Sequence, residues 1–196
     1  MLADFLTHLQ QGMYHVLNIK AYDHILFLIV LLVPFAFKDW KRVLFLITLF
    51  TLGHSLSLAL AIYDVIRIKG SLVDFLILCT ILIIALYNVF TSGKKAQNEK
   101  IGVLFFATLF LGLVHGMGYV GIFGRVVHAA DMKLVTLLEL SLGLEMGQLI
   151  IAFIILFLGF LGETIFRFSK RDWVMVVSAM VLGGLVPVLM HSGYLF

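Results

Sequence analysis

Six apolar runs of about 20 residues each, the length that crosses a bilayer core as a helix, are separated by short segments that hold most of the charge. Few other arrangements are open to such a chain. Of its 196 residues 62% are hydrophobic and 13% charged, and a compact water-soluble domain of this size has too little interior to hide that apolar share. The sequence therefore predicts an all-α integral membrane protein, a six-transmembrane-helix bundle with spans near 22–37, 42–63, 71–91, 101–123, 133–161 and 173–195. The connections, among them KDWKR (38–42) and SGKKAQNEK (92–100), are too short to separate domains, so residues 1–196 read as one unit. Before the first span, Leu2, Phe5, Leu6, Leu9, Met13, Val16 and Leu17 recur at helical spacing. That stretch lacks the basic start and long apolar core of a signal peptide, and it is expected to form an amphipathic helix lying on the membrane surface.

Basic residues choose the orientation. Nine of the fourteen Lys and Arg residues, including Lys38, Lys41, Arg42, Lys94, Lys95 and Lys170, fall on one side of the expected bundle. The positive-inside rule makes that side cytoplasmic, so the chain is expected in the cell inner (cytoplasmic) membrane with both termini on the outer side. The basic residues flank spans and form no patch, which argues against a nucleic-acid partner. Lipid is the partner the composition demands, and a homo-oligomer is compatible with it. The single cysteine, Cys79, excludes an intrachain disulfide.

Against this apolar background a few ionisable residues stand out. At about 1.5 Å per helical residue, His54 lies roughly 18 Å and His115 roughly 21 Å above the starts of their helices. By the same measure Glu145 lies roughly 18 Å below the outer start of its own, and Asp23 and His24 open the first span at the outer face. Each buried ionisable side chain costs roughly 2.5–3.5 kcal/mol on insertion scales. Asp23, His24, His54, His115 and Glu145, at overlapping depths on four helices, therefore point to a shared site. Imidazole and carboxylate bind zinc, nickel, iron and copper, and a bundle core gathers ligands from separate helices, so the expected cofactor or cargo is a divalent transition metal (nickel or zinc). A proton-handling site uses the same residues.

Ser55 beside His54, and Gln148 on the Glu145 face, are candidate additional site residues, as are His15 and His191. Asn88 either caps the polar interior or bonds a neighbour. Glu139 is either pore-lining or interfacial, and His8 and His128 read as solvated. Gly112 and Gly116 bracket His115, and Gly143 and Gly147 bracket Glu145, a spacing that lets helix backbones approach closely. TLFTLGH (48–54) and TLFLGLVH (108–115) are alike enough to suggest a short internal repeat.

The chain resembles the HupE/UreJ family of small polytopic membrane proteins. The likeness is carried by DHILFLIVLL (23–32), FTLGHSLSLALA (50–61), ALYNVF (85–90), GLVHGMGYVG (112–121) and LSLGLEMGQLIIA (140–152). The resemblance implies a secondary permease that supplies nickel for hydrogenase or urease maturation, with Asp23, His24, His54, His115 and Glu145 as the residues carried over. The family signature has a histidine five residues before Asp-His, whereas here seven residues separate His15 from Asp23. That shift is expected to rotate His15 away from its helix-mates.

Two functions compete on the residues alone. One is a metal-ion permease in which Asp23 and His24 capture the ion and His54, His115 and Glu145 bind it within the bundle. The other is an intramembrane zinc-dependent hydrolase or transferase for a lipid or lipoprotein substrate, with His24, His54 and His115 on zinc and Asp23 or Glu145 as general base. A metal sensor without flux is a third. The cytoplasmic half holds few polar residues, so the sequence does not write an exit path.

Overall fold

Pro34 explains where the first helix of the core stops. The structure, a computed structural model, describes residues 2–19, 22–66, 68–92, 101–118, 120–130 and 132–190. Among them eight α-helices follow in order: α1 Leu2–Leu17, α2 Tyr22–Leu32, α3 Trp40–Ile62, α4 Gly70–Thr91, α5 Ile101–Met117, α6 Val120–Ala129, α7 Lys133–Thr164 and α8 Lys170–Met190. The described residues contain no strand. The expected first span, 22–37, ends at Leu32 because Pro34 has no N–H for the carbonyl of Val30 and its ring crowds that turn. Asn88 on α4 supplies the missing donor, its Nδ2 lying 2.7 Å from the Val30 oxygen. A little further on, Lys170 Nζ donates to the carbonyl of Phe35 at 2.7 Å while pairing with Glu163 at 3.0 Å. Asn88 is thus a structural donor to a neighbouring helix, the second of its two expected roles.

Among the described residues α3, α4, α7 and α8 are each long and apolar enough to cross a membrane. The α1–α2 pair, bent by 70°, passes that test only when taken together, as a broken span. α5 is shorter, and the expected span 101–123 is divided where α5 stops at Met117 and α6 begins at Val120. At that break the N–H of Gly118 turns back to the carbonyl of His115 at 3.1 Å, tightening the last turn. Outward faces are densely apolar: Phe90 and Phe106 are each 77% exposed, Phe110 61% and Leu138 61%. Hydrocarbon suits such surfaces and water does not.

Two helix pairs run with their backbones in contact. On α3 and α5, a β-carbon at Gly112 would strike the carbonyl oxygen of Phe50, one at Gly116 that of His54, and one at Gly53 that of Leu109. The register advances together (Phe50 with Gly112, His54 with Gly116), so α3 and α5 are parallel. On α1 and α7, Gly12 lies against the carbonyl of Leu140 and Gly143 against that of Leu9, again in parallel. α7 runs antiparallel to α3, since Phe37 ahead of α3 meets Phe153 and Phe160 in the far half of α7.

The amphipathic pattern of α1 led to the expectation of a surface helix. The structure instead seats its small-residue face along α7, with Gly12 and Val16 buried. A helix with one glycine face satisfies the same periodicity when it packs on another helix as when it lies on lipid.

These contacts can be tested by thermal unfolding in detergent. Gly112→Val and Gly12→Val each force apart two backbones and are expected to cost about 2 kcal/mol or more. Gly183→Ala and Gly184→Ala, where an added methyl meets only open space, are expected to cause no loss. Asn88→Ala strands the Val30 carbonyl at a cost of about 1–3 kcal/mol.

Candidate metal centre

Four imidazoles converge from four helices. His15 is in the last turn of α1, His24 in the first turn of α2, His54 in the middle of α3 and His115 in the last turn of α5. Ring centroids lie 4.7 Å apart for His15 and His24, 5.8 Å for His24 and His54, 6.3 Å for His15 and His54 and 5.7 Å for His24 and His115. His24, His54 and His115 are at most 1% exposed. His15 is partly buried, though its Nε2 is fully enclosed. One nitrogen from each of His15, His24 and His54 falls within 4.8 Å of the others.

The contact between α3 and α5 creates half of this cluster, because Gly116 rests on the carbonyl of His54 and so brings the His115 turn alongside it. The contact between α1 and α7 creates the other half. His8, Gly12 and His15 share one face of α1 at i, i+4, i+7. On that face His8 Nδ1 bonds Glu139 Oε2 at 2.6 Å, Gly12 touches α7, and His15 reaches the cluster. His8 is therefore paired and not freely solvated, and together with Glu139 it ties α1 to α7.

The hydrogen bonds set which nitrogen is available. His115 Nδ1 lies 2.9 Å from the carbonyl of Leu111, which can only accept, so Nδ1 carries the proton and Nε2 the lone pair. His24 Nδ1 lies 3.3 Å from Asp23 Oδ1, a carboxylate that orients the ring as second-shell carboxylates orient metal-binding histidines. His54 is different. It is completely buried, and neither ring nitrogen has a hydrogen-bond partner among the described residues. The nearby Ser57 hydroxyl donates to the His54 backbone carbonyl instead, at 3.0 Å. A buried polar atom left without a partner costs about 1–3 kcal/mol. An ion held between the rings would remove that cost.

The donor set fits a borderline divalent ion, since neutral imidazoles suit zinc, nickel and copper and bind calcium and magnesium poorly. With metal–nitrogen bonds of about 2.0–2.1 Å, tetrahedral ligands lie about 3.3 Å from one another, so the three nitrogens must draw in by about 1 Å around an ion.

Beneath the cluster, one turn along α2 and α3, Phe27 and Phe50 stack at 4.6 Å, both fully buried. The His115 ring rests on them at 4.7 and 5.1 Å. On another side a cleft of about 580 Å³ opens along α1, lined by Thr7, Gln10, Gln11, Tyr14, His15 and Asn18 and walled by Phe123 and Val126 of α6. His15 borders both the cleft and the cluster.

Of the expected site residues, Asp23, His24, His54 and His115 come together, and His15 joins them. Glu145 does not take part in the contacts of the cluster. Its Oε1 accepts from Thr48 Oγ1 at 2.6 Å on the seam between α3 and α7. Gln148 and Ser55 lie on that seam too, Gln148 Oε1 accepting from Thr51 at 3.0 Å and Ser55 bonding Ser141 at 2.6 Å. His191 lies outside the described residues.

The profile of the family described as HupE / UreJ protein matches residues 1–192, nearly the whole chain. The chain belongs to the HupE/UreJ family. Neither a curated protein nor a solved structure matches it. Family and apolar helices together make it a multi-pass membrane protein, and in a family associated with membrane metal transport the histidine cluster is where a metal ion could bind.

Histidine reactivity checks this geometry without any metal. Diethyl pyrocarbonate applied to the detergent-purified protein, followed by peptide mass spectrometry, is expected to modify His15, which borders the cleft, ahead of the other imidazoles of the cluster. His54 and His115 are expected to react only after denaturation.

Proposed function

We infer that this protein is a permease for a divalent transition-metal ion of the nickel and cobalt class, and that its substrate binds among His15, His24, His54 and His115 with Asp23 behind them. The observation that carries the reading is the state of His54: a wholly buried imidazole with neither nitrogen partnered among the described residues, beside other imidazoles and near the end of the cleft along α1. The residues of the cleft, Gln10, Gln11 and Asn18, offer amide oxygens that can replace part of an ion's hydration shell as it approaches His15. Neutral imidazoles then take over. They leave most of the ion's charge uncancelled, with Asp23 the nearest carboxylate, which favours moderate affinity and release over storage.

The helix breaks favour transport as well. His15 and His115 sit in the last turns of α1 and α5, where the negative end of the helix dipole favours a cation. Discontinuous helices of this kind form the ion sites of many secondary transporters. In this reading the bundle has six spans, with α1 and α2 forming the first, and it sits in the inner membrane with both termini outside.

One observation favours a second reading. The Phe27–Phe50 stack closes the cluster on its inner side, and three imidazoles on zinc leave a fourth position for water. With the Asp23 carboxylate beside it, such a centre would suit a hydrolase or transferase working on a lipid-like substrate.

Proteoliposomes loaded with a metal-sensing dye separate the two. The permease reading expects saturable nickel or cobalt influx that falls about tenfold or more in His54→Ala, with binding that weakens as pH drops because protons compete for imidazole. Metal analysis of the same preparation then expects an exchangeable site. One equivalent of zinc that withstands chelator, with no influx of any ion, would overturn the permease and leave the enzyme.

A further inference from the structure

Resting on the permease reading, we propose that the seam between α3 and α7 is the inner half of the ion's path, with Glu145 and Gln148 forming a second cation station distinct from the imidazole cluster. On the α2 side of α3 the described residues next along from His54 are apolar. Phe27 and Phe50 are stacked beneath the cluster, and Leu31 and Ile47, about one turn further along α2 and α3, belong to the same buried apolar core, all at most 5% exposed. A divalent ion stripped of water cannot cross that layer without a large desolvation cost.

The adjoining face of α3 is different. Thr48, Thr51 and Ser55 form one stripe at i, i+3, i+7, and each hydroxyl bonds a side chain of α7: Glu145, Gln148 and Ser141 respectively. Thr51 stands one turn from His54, so the stripe begins beside the cluster and passes the aromatic layer on the far side of α3. It ends about 9 Å further along the helix at Thr48, where the half-buried Glu145 supplies a carboxylate. The oxygens of this seam also differ from the nitrogens above. They hold a transition ion less tightly, as a station on the way out should.

Gln148 carries the independent sign of an occupant. It is fully buried, its Oε1 is taken by Thr51, and its Nε2 has no partner among the described residues. Turning the amide over would let Nε2 donate to Thr51 and leave Oε1 facing the same space as an acceptor for a cation. This amide lies about one turn of α7 from the Glu145 carboxylate.

The test compares wild type, Glu145→Gln and Thr48→Val in proteoliposomes, with cobalt as probe. Two readouts are taken: cobalt bound at equilibrium to the detergent-solubilised protein, and initial influx. The expected result is unchanged binding at the cluster, which also shows that the variants fold, with influx reduced about tenfold or more in Glu145→Gln and less in Thr48→Val. Influx equal to wild type in Glu145→Gln would overturn the second station and leave the permease standing. Loss of cluster binding in Glu145→Gln together with normal binding in Gln148→Leu would place Glu145 in the first site and also overturn the proposal. An absence of influx in wild type itself would instead overturn the permease reading on which the proposal rests.

Discussion

Direct contact between the backbones of α3 and α5 holds the centre of this molecule. With no water to exclude between helices in lipid, close packing has to supply what the hydrophobic effect supplies in a soluble core. Gly53, Gly112 and Gly116 make it possible, each lying where a single methyl group would meet a carbonyl oxygen of the facing helix. The same approach sets the His115 turn beside His54, so stability of the bundle and assembly of the cluster have one cause. The contact between α1 and α7 repeats the device with Gly12 and Gly143, and its chemical yield is His15.

The second governing constraint is that every helix break in such a setting must be resolved locally. The break at Pro34 is resolved by Asn88 and Lys170, which reach in from α4 and α8 to take up stranded carbonyls. The break after Met117 is resolved by the chain itself at Gly118. The cluster holds one exception. Asp23 and the Leu111 carbonyl each occupy one nitrogen, and His54 retains two that no described residue meets. The structural breaks have partners and His54 has none among the described residues, a contrast that marks its surroundings as the place built to receive something.

Much of this could be read from the residues, and the parts that could not share a physical reason. The all-helical class, the glycine pairs and the convergence of His24, His54 and His115 follow from length, spacing and depth, all of which a sequence carries. His15 was expected to be turned away because seven residues separate it from Asp23, but that inference holds only within one continuous helix. The α1–α2 break resets the rotation, and the spacing loses its meaning there. The i, i+4, i+7 face of His8, Gly12 and His15 was the available signal. Glu145 shows the converse limit. Its depth matches the histidines, yet which way it faces around the axis of α7 depends on a neighbour chosen by packing. Asn88 and Val30, 58 residues apart, are joined for a reason visible only once α2 and α4 are known to be adjacent.

The 32 residues of α7 amount to a rod of about 48 Å, against a hydrocarbon core of roughly 30 Å. A rod that long must lean, extend beyond the core, or thicken the bilayer around it, and the balance shifts with the chain length of the surrounding lipid. Because α7 faces α1 on one side and α3 on the other, any change in its lean opens one of these junctions relative to the other. The acyl length of the surrounding lipid thus bears, through one helix, on both the junction that carries His15 and the junction that carries Glu145.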